Sequence, residues 1–245
     1  MAKPLGPSVA DTEPGLARRQ LPLEVRLRDD ATFDNFFPLA NHGPLLEVLK
    51  QQPPAAEEHL VFLCGPPGTG KTHLLQACCQ SQGYAELYLP LADLVQYSPD
   101  DVLQGLAGMQ RICLDDLQAV RGNRSWEEAL FHLCNRARAQ DCCLVVAADA
   151  PPRALGLQLA DLQSRLSAGL VFQLGRADDR TKAEILQFRA QRRGLTLADD
   201  AARFIVARAP RSLDQLLALL DRLDHASLAA QRGLSIPFVK SVLDW

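Results

Sequence analysis

Residues 65–72 read GPPGTGKT, and the types at these positions suit the cradling of a phosphate chain. Gly65, Gly68 and Gly70, with Pro66 and Thr69 between them, let backbone N–H groups turn toward phosphate oxygens; the Lys71 ammonium neutralises the β- and γ-phosphates, and the Thr72 hydroxyl suits a Mg²⁺ ligand. The GxxxxGK[ST] spacing sits between a buried apolar run, HLVFLC, and the helical pattern HLLQACCQS, the context in which that motif works. Asp115 and Asp116 end the run RICL, which places two carboxylates at the carboxyl edge of a sheet beside the phosphate loop. Asp115 fits a magnesium-binding role. Asp116 is suited to polarising a hydrolytic water but is one methylene shorter than glutamate, which leaves intrinsic hydrolysis open. Asp149, after LVVAA, is either a sensor of the water or γ-phosphate, or a turn residue before Pro151 and Pro152. Arg165, in DLQSRLSAGLVF, is either a solvated surface charge or a rim arginine reaching a neighbouring molecule's γ-phosphate, an effect worth roughly 10³ to 10⁵ in rate.

These residues need a scaffold, and the apolar pattern supplies one. HLVFLC, AELYLPL, MQRICLDD, CCLVVAAD and GLVFQL read as five short strands; SWEEALFHLCNRARAQ places Trp126, Leu130, Leu133 and Ala137 on one helical stripe. Short apolar strands alternating with helices indicate an α/β fold with a parallel sheet covered on both faces. After Gly175 the pattern turns helical. DDRTKAEILQFRAQRRG has an aspartate N-cap and Gly194 as its stop, SLDQLLALLDRLDHASLAAQRG starts at Ser212, and IPFVKSVL carries Pro237 in its first turn. Residues 1–30, rich in proline, glycine and charge, read as a mobile leader.

A chain of 245 residues, 47% apolar, buries one sizeable core with or without a small satellite domain. Its net charge of −3 and pI near 6.0 exclude a global positive field that would hold it on DNA or an anionic membrane. The first residues lack the apolar core of a signal peptide and no apolar run is long enough to span a bilayer, so a cytoplasmic protein is expected. Seven scattered cysteines without a CxxC pair read as small buried hydrophobes in a reducing compartment.

The segments ATFDNFFP, GPPGTGKTHLLQA, ICLDDLQ, WEEALFHLCNRA, AADAPP and SRLSAGLVF together resemble the DnaA-related AAA+ family. The QLPL leader and the ending LAAQRGLSIPFVKSVL are similar to the Hda branch of that family, which stops at the helical lid without a DNA-reading helix-turn-helix domain. The resemblance implies an AAA+ P-loop core over 31–175 with a parallel sheet, and a small all-helical lid over 176–245. It implies ADP or ATP with Mg²⁺ as ligands, and Phe36 and Pro38, with Phe33, in the segment lying against the base. Aligning LLALLDRLD with the family's lid helix puts Asp214 where a sensor-2 arginine points at the phosphates, with Arg211 the nearest arginine. A carboxylate there disfavours ATP and supports an ADP-bound state.

The same resemblance implies the partners DnaA and the DNA polymerase III sliding clamp, with DNA reached only through the clamp, no membrane, and a homodimer as one assembly. Gln20, Leu21, Pro22 and Leu23 resemble the family's clamp-binding peptide: a polar anchor, two apolar pocket fillers, and a proline that limits the entropy lost on binding. The alternative is a leader strand docked on its own domain. Arg165 matches the family's arginine finger. The implied function is regulatory inactivation of DnaA, in which a clamp-bound protein with weak or no ATPase of its own stimulates hydrolysis of DnaA-bound ATP. Two other readings stand beside it: an autonomous AAA+ loader or motor, favoured by the full set Lys71, Thr72, Asp115 and Asp116, and an adaptor that tethers partners and holds a nucleotide as a structural ligand.

Overall fold

The computed structural model describes residues 27–51, 59–80, 85–210 and 212–245. In chain order the elements are α1 (Gly43–Lys50), β1 (Leu60–Cys64), α2 (Lys71–Cys78), β2 (Glu86–Pro90), α3 (Leu91–Leu94), α4 (Pro99–Leu103), β3 (Arg111–Asp115), α5 (Arg124–Ala139), β4 (Cys143–Ala148), α6 (Ala160–Ser167), β5 (Leu170–Gln173), α7 (Asp179–Arg192), α8 (Asp199–Arg208), α9 (Leu213–Ala230) and α10 (Ile236–Leu243). The five strands form one sheet in the order β2-β3-β4-β1-β5, with every neighbouring pair parallel. After β1 the chain crosses to the far edge, returns through β3 to β4, and adds β5 on the other side of β1.

Alternation along β1 decides what each face buries. Phe62 and Cys64 join the core formed with Trp126, Leu130, Leu133 and Ala137 of α5 and Leu162 and Leu166 of α6. Val61 and Leu63 join the opposite core, with Leu45 and Leu49 of α1 and Leu74, Leu75 and Cys78 of α2. The expected α5 stripe is thus the buried face. β5 departs from the expected doubly covered strand: it pairs with β1 alone at the sheet edge, and Leu170 and Val171 are 38% and 43% exposed. All seven cysteines are free; six are buried and Cys79 is half-buried.

A buried carboxylate fixes the spacing of α5 and α6. Glu127, in the first turn of α5, is fully buried and accepts backbone N–H bonds from Gly122 at 2.8 Å, Gln158 at 2.8 Å and Leu159 at 2.7 Å. Leu159 is the residue that precedes α6.

The lid comprises α7 to α10 around a third core of Leu186, Ile205, Leu216, Leu220, Leu223 and Val239 with their neighbours. Asp178 caps α7 by accepting the Thr181 N–H at 2.7 Å, and Gly194 follows it with φ +75°, as the sequence pattern predicts. Ser212 precedes α9 but makes no side-chain cap bond. Helix α8, which the sequence pattern did not separate, packs against α7 and α10.

Residues 27–30 fall in the expected leader yet lie on the core. Leu27 packs against the α1/α2 core and the Arg28 N–H donates to Gln76 Oε1 at 3.2 Å. Core and lid are clasped here. Arg189 of α7, 4% exposed, donates to the Asn35 carbonyl at 3.0 Å and pairs with Asp30, while Phe37 meets Phe188 edge to face at 5.5 Å.

Candidate functional site

The loop 65–70 leaves β1 at its carboxyl end and is tied to β4 by the Gly65 N–H, which donates to the Ala148 carbonyl at 3.2 Å. Only glycine fits at two of its positions. A Cβ on Gly65 would lie 2.3 Å from the Leu174 carbonyl oxygen, and one on Gly70, at φ +90°, would lie 2.8 Å from the Phe36 ring. Thr69 Oγ1 donates to the Pro66 carbonyl at 2.9 Å and holds the loop closed. Lys71, 8% exposed, donates its ammonium to the carbonyls of Gly65 at 2.6 Å and Pro66 at 3.0 Å. Burial pulls the Lys71 pKa below the usual lysine value, against the opposing fields of Asp115, Asp116 and Asp149. All three carboxylates are thus close enough for their fields to act on this lysine.

Asp115 is 1% exposed and accepts from Tyr88 Oη at 2.8 Å and from the Asp116 N–H at 3.0 Å, with the Thr72 hydroxyl nearby. Burial raises its pKa, and the hydroxyl bonds partly offset that rise. Asp116 has a left-handed backbone, φ 55°, at the strand exit. Gln118 bridges the two remaining carboxylate residues: its Nε2 donates to Asp116 Oδ1 at 2.8 Å and its Oε1 accepts the Asp149 N–H at 3.2 Å. Tyr88 and Gln118 are site residues that sequence reasoning missed; both fall in segments that read only as strand and turn. Among the described residues no cluster of three or more His, Cys, Asp or Glu side chains forms a metal centre. A Mg²⁺ held by Thr72 and Asp115 would therefore complete its shell with phosphate oxygens and water, as Mg²⁺ ordinarily does.

Beside the loop, a cavity of about 90 Å³ lies between core and lid, lined by Phe36, Phe37, His42, Ile185, Leu213 and Leu217 among others. Phe36, which the resemblance places in the segment lying against the base, lines this cavity. Pro38 is exposed and does not line the cavity, and Phe33 packs in the α1/α2 core under Lys50. Asp214 lies at the cavity, its Oδ2 4.0 Å from where a Gly68 Cβ would sit, so the start of α9 does bring a carboxylate to the phosphate loop. Arg211 and the Gln20–Leu23 motif lie outside the described residues.

Arg165 is elsewhere. It sits on α6 and lines a groove with Leu60 and Leu170, the first residues of β1 and β5. The phosphate loop starts at the other end of β1, so five residues at about 3.3 Å each put some 16 Å of strand between them. Among the described residues neither a hydrogen bond nor an ion pair engages its guanidinium. Arg153 is exposed on the turn at 152–154.

A phosphate loop on the first strand of a β2-β3-β4-β1-β5 parallel sheet, carboxylates at the ends of β3 and β4, and a separate helical lid over the loop define a P-loop protein of the AAA+ class. Residues 179–243 match the family described as Hda, lid domain, and residues 98–173 match the bacterial DnaA ATPase domain. An uncharacterized protein of Haemophilus influenzae is 41% identical over 230 residues, covering 92% of this chain and 99% of that one. Domain III of the Thermotoga maritima replication initiation protein DnaA superposes with a TM-score of 0.73 at 23% identity, covering 90% of this chain and 98% of that one. AMPPCP-bound DnaA from Aquifex aeolicus gives 0.67 at 22% identity over 80% of this chain and 65% of that one, and the Thermotoga maritima RuvB branch migration motor 0.65 at 20% over 87% and 71%. The chain belongs to the DnaA-related AAA+ family, in its Hda branch. No helix among the described residues is long and apolar enough to cross a membrane.

Proposed function

We propose that this protein is a cytoplasmic regulator of replication initiation that binds ADP through its own phosphate loop and acts on ATP held by DnaA. The observation that carries the reading is the position of Arg165. A guanidinium with no partner among the described residues, a full strand length from its own phosphate loop, is out of reach of its own nucleotide and placed to meet one on a neighbouring molecule. There its planar, permanently charged fork can hold two phosphate oxygens as charge develops between them.

The residues of the loop fit a nucleotide and its metal. Lys71 is buried with only loop carbonyls as partners, and phosphate oxygens are stronger acceptors for it. A bound Mg²⁺ would supply charge neutralisation of the phosphates, with Thr72 and Asp115 as its protein ligands. Phe36, against Gly70, offers a ring face to a base. The cavity beside that ring, about 90 Å³, lies between core and lid. Asp214 adds a negative charge at the mouth, which favours ADP over ATP.

Gln20 to Leu23 supply the link to the sliding clamp in this reading; Leu27, four residues later in sequence, packs on the core. The test mixes ATP-loaded DnaA and clamp-loaded DNA with the parent protein or Arg165→Ala. Loss of most stimulated hydrolysis, with nucleotide and clamp binding retained, is the expected result. Full stimulation by the alanine variant refutes the trans-acting arginine and leaves the adaptor reading, and rapid ATP turnover by the protein alone would establish the motor.

A further inference from the structure

The groove that holds Arg165 has a second cation. Its volume is about 560 Å³, its floor is Leu60, Leu144 and Leu170 at the amino ends of three strands, and Arg138, from the last turn of α5, lines it together with Arg165 and His59. Among the described residues the charged side chains lining it are both guanidinium groups, and none of those residues contributes a carboxylate. Among the described residues Arg138, like Arg165, has no hydrogen bond or ion pair, although the chain as a whole carries a net charge of −3 and has acidic groups to spare. Two like charges left facing one groove repel each other, a cost that an anion between them reverses. The apolar floor lowers the local dielectric and strengthens that attraction. The two helices carrying these arginines are tied together at their starts by Glu127, so the separation of the two forks is built into the fold.

We propose that Arg138 and Arg165 together form a polyphosphate-binding groove, in which Arg138 holds the phosphate chain that Arg165 meets at its terminal group. The proposal rests on the reading of Arg165 given above and names a second residue for the same encounter. His59 lines the same groove.

The test separates the groove from the regulatory reading. In full-length protein carrying Lys71→Ala, which silences the phosphate loop, inorganic tripolyphosphate is titrated calorimetrically at low ionic strength. Removing one of two guanidinium contacts to a multivalent anion at a solvent-facing site weakens binding about tenfold. Arg138→Gln and Arg165→Gln should each show that loss, Arg138→Lys a smaller one, with unchanged melting temperatures as the folding control. Tripolyphosphate binding that ignores Arg138→Gln overturns the groove, as does no binding at all by the Lys71→Ala protein. In the second arm Arg138→Gln should lower stimulation of DnaA's hydrolysis at least fivefold while clamp and ADP binding persist. Parent-level stimulation by Arg165→Ala would refute the regulatory reading while the calorimetric arm still decides the groove.

Discussion

Truncating Glu127 tests whether the α5/α6 pair is held by one side chain. Its carboxylate is fully buried and accepts three backbone N–H groups at 2.7–2.8 Å. Hydrogen bonds to a charged acceptor contribute about 1.5–3 kcal/mol each, and Glu127→Ala leaves three donors without it. The simple sum overshoots, because water entering the vacated space satisfies part of the loss; about 4 kcal/mol is expected, or some 8–16 °C in Tm for a chain of this size. Glu127→Gln separates charge from shape. A carbonyl facing Gln158 and Leu159 keeps two bonds, while the amide then meets the Gly122 N–H donor to donor, for a loss of about 2 kcal/mol. Urea unfolding followed by tryptophan fluorescence suits the measurement, since Trp126 is buried next to Glu127. An alanine variant within 1 kcal/mol of the parent, or a glutamine variant that costs more than alanine, refutes the reasoning. Below their melting temperatures both variants should stimulate DnaA's hydrolysis less than the parent, because α6 carries Arg165.

Saturating ADP should stabilise the parent, by about 2.7 kcal/mol at one hundred times Kd, and Lys71→Ala should lose most of that gain in a thermal-shift titration; an undiminished gain would mean the nucleotide binds elsewhere. Asp214→Asn should move the ADP/ATP affinity ratio toward ATP by about tenfold, the order expected for removing one nearby unit charge at an effective dielectric near 20–30, and an unchanged ratio would remove Asp214 from the phosphate field. Alanine at Gln20, Leu21 and Leu23 should abolish clamp binding in a surface-plasmon assay with no change in Tm; a large loss of stability would instead indicate a strand docked on the domain. Burial lowers the pKa of His42 and His73 below the usual histidine value, so the unfolded chain takes up protons first. The stability they contribute is present above about pH 6.5 and is lost as pH falls through their lower folded values. His73→Gln should flatten the fall in Tm between pH 7 and pH 5, and an equally steep profile would assign it to other groups.

What could be read from the sequence was what is written locally. The apolar run LVFLC with the glycine loop after it, the α5 stripe from Trp126 to Ala137, and the Asp178 cap with its Gly194 stop are all patterns closed within a single helix or strand and the residues flanking it, and the structure has each of them. Asp115, Asp116 and Asp149 were legible for a related reason: a carboxylate ending a buried parallel strand lies at the edge where the loop from β1 also emerges. Residues whose partners are distant in sequence were not. Glu127 looks like a solvated helix charge until the loop 31 and 32 residues later folds over it. Arg189, in a basic stretch that reads as surface, becomes the buried clasp on Asn35 and Asp30 more than 150 residues away. Pro38, which the family resemblance grouped with Phe36, is exposed and does not line the cavity that Phe36 lines. Arg165 shows the limit most clearly. Its two readings, surface charge or rim arginine, differ in nothing that a linear pattern records, because each needs only an arginine before a strand. What separates them is which end of the sheet that helix reaches and what else lines the space there. The amino ends of β1 and β5, an apolar floor and a second arginine without a partner among the described residues are properties of the assembled sheet alone.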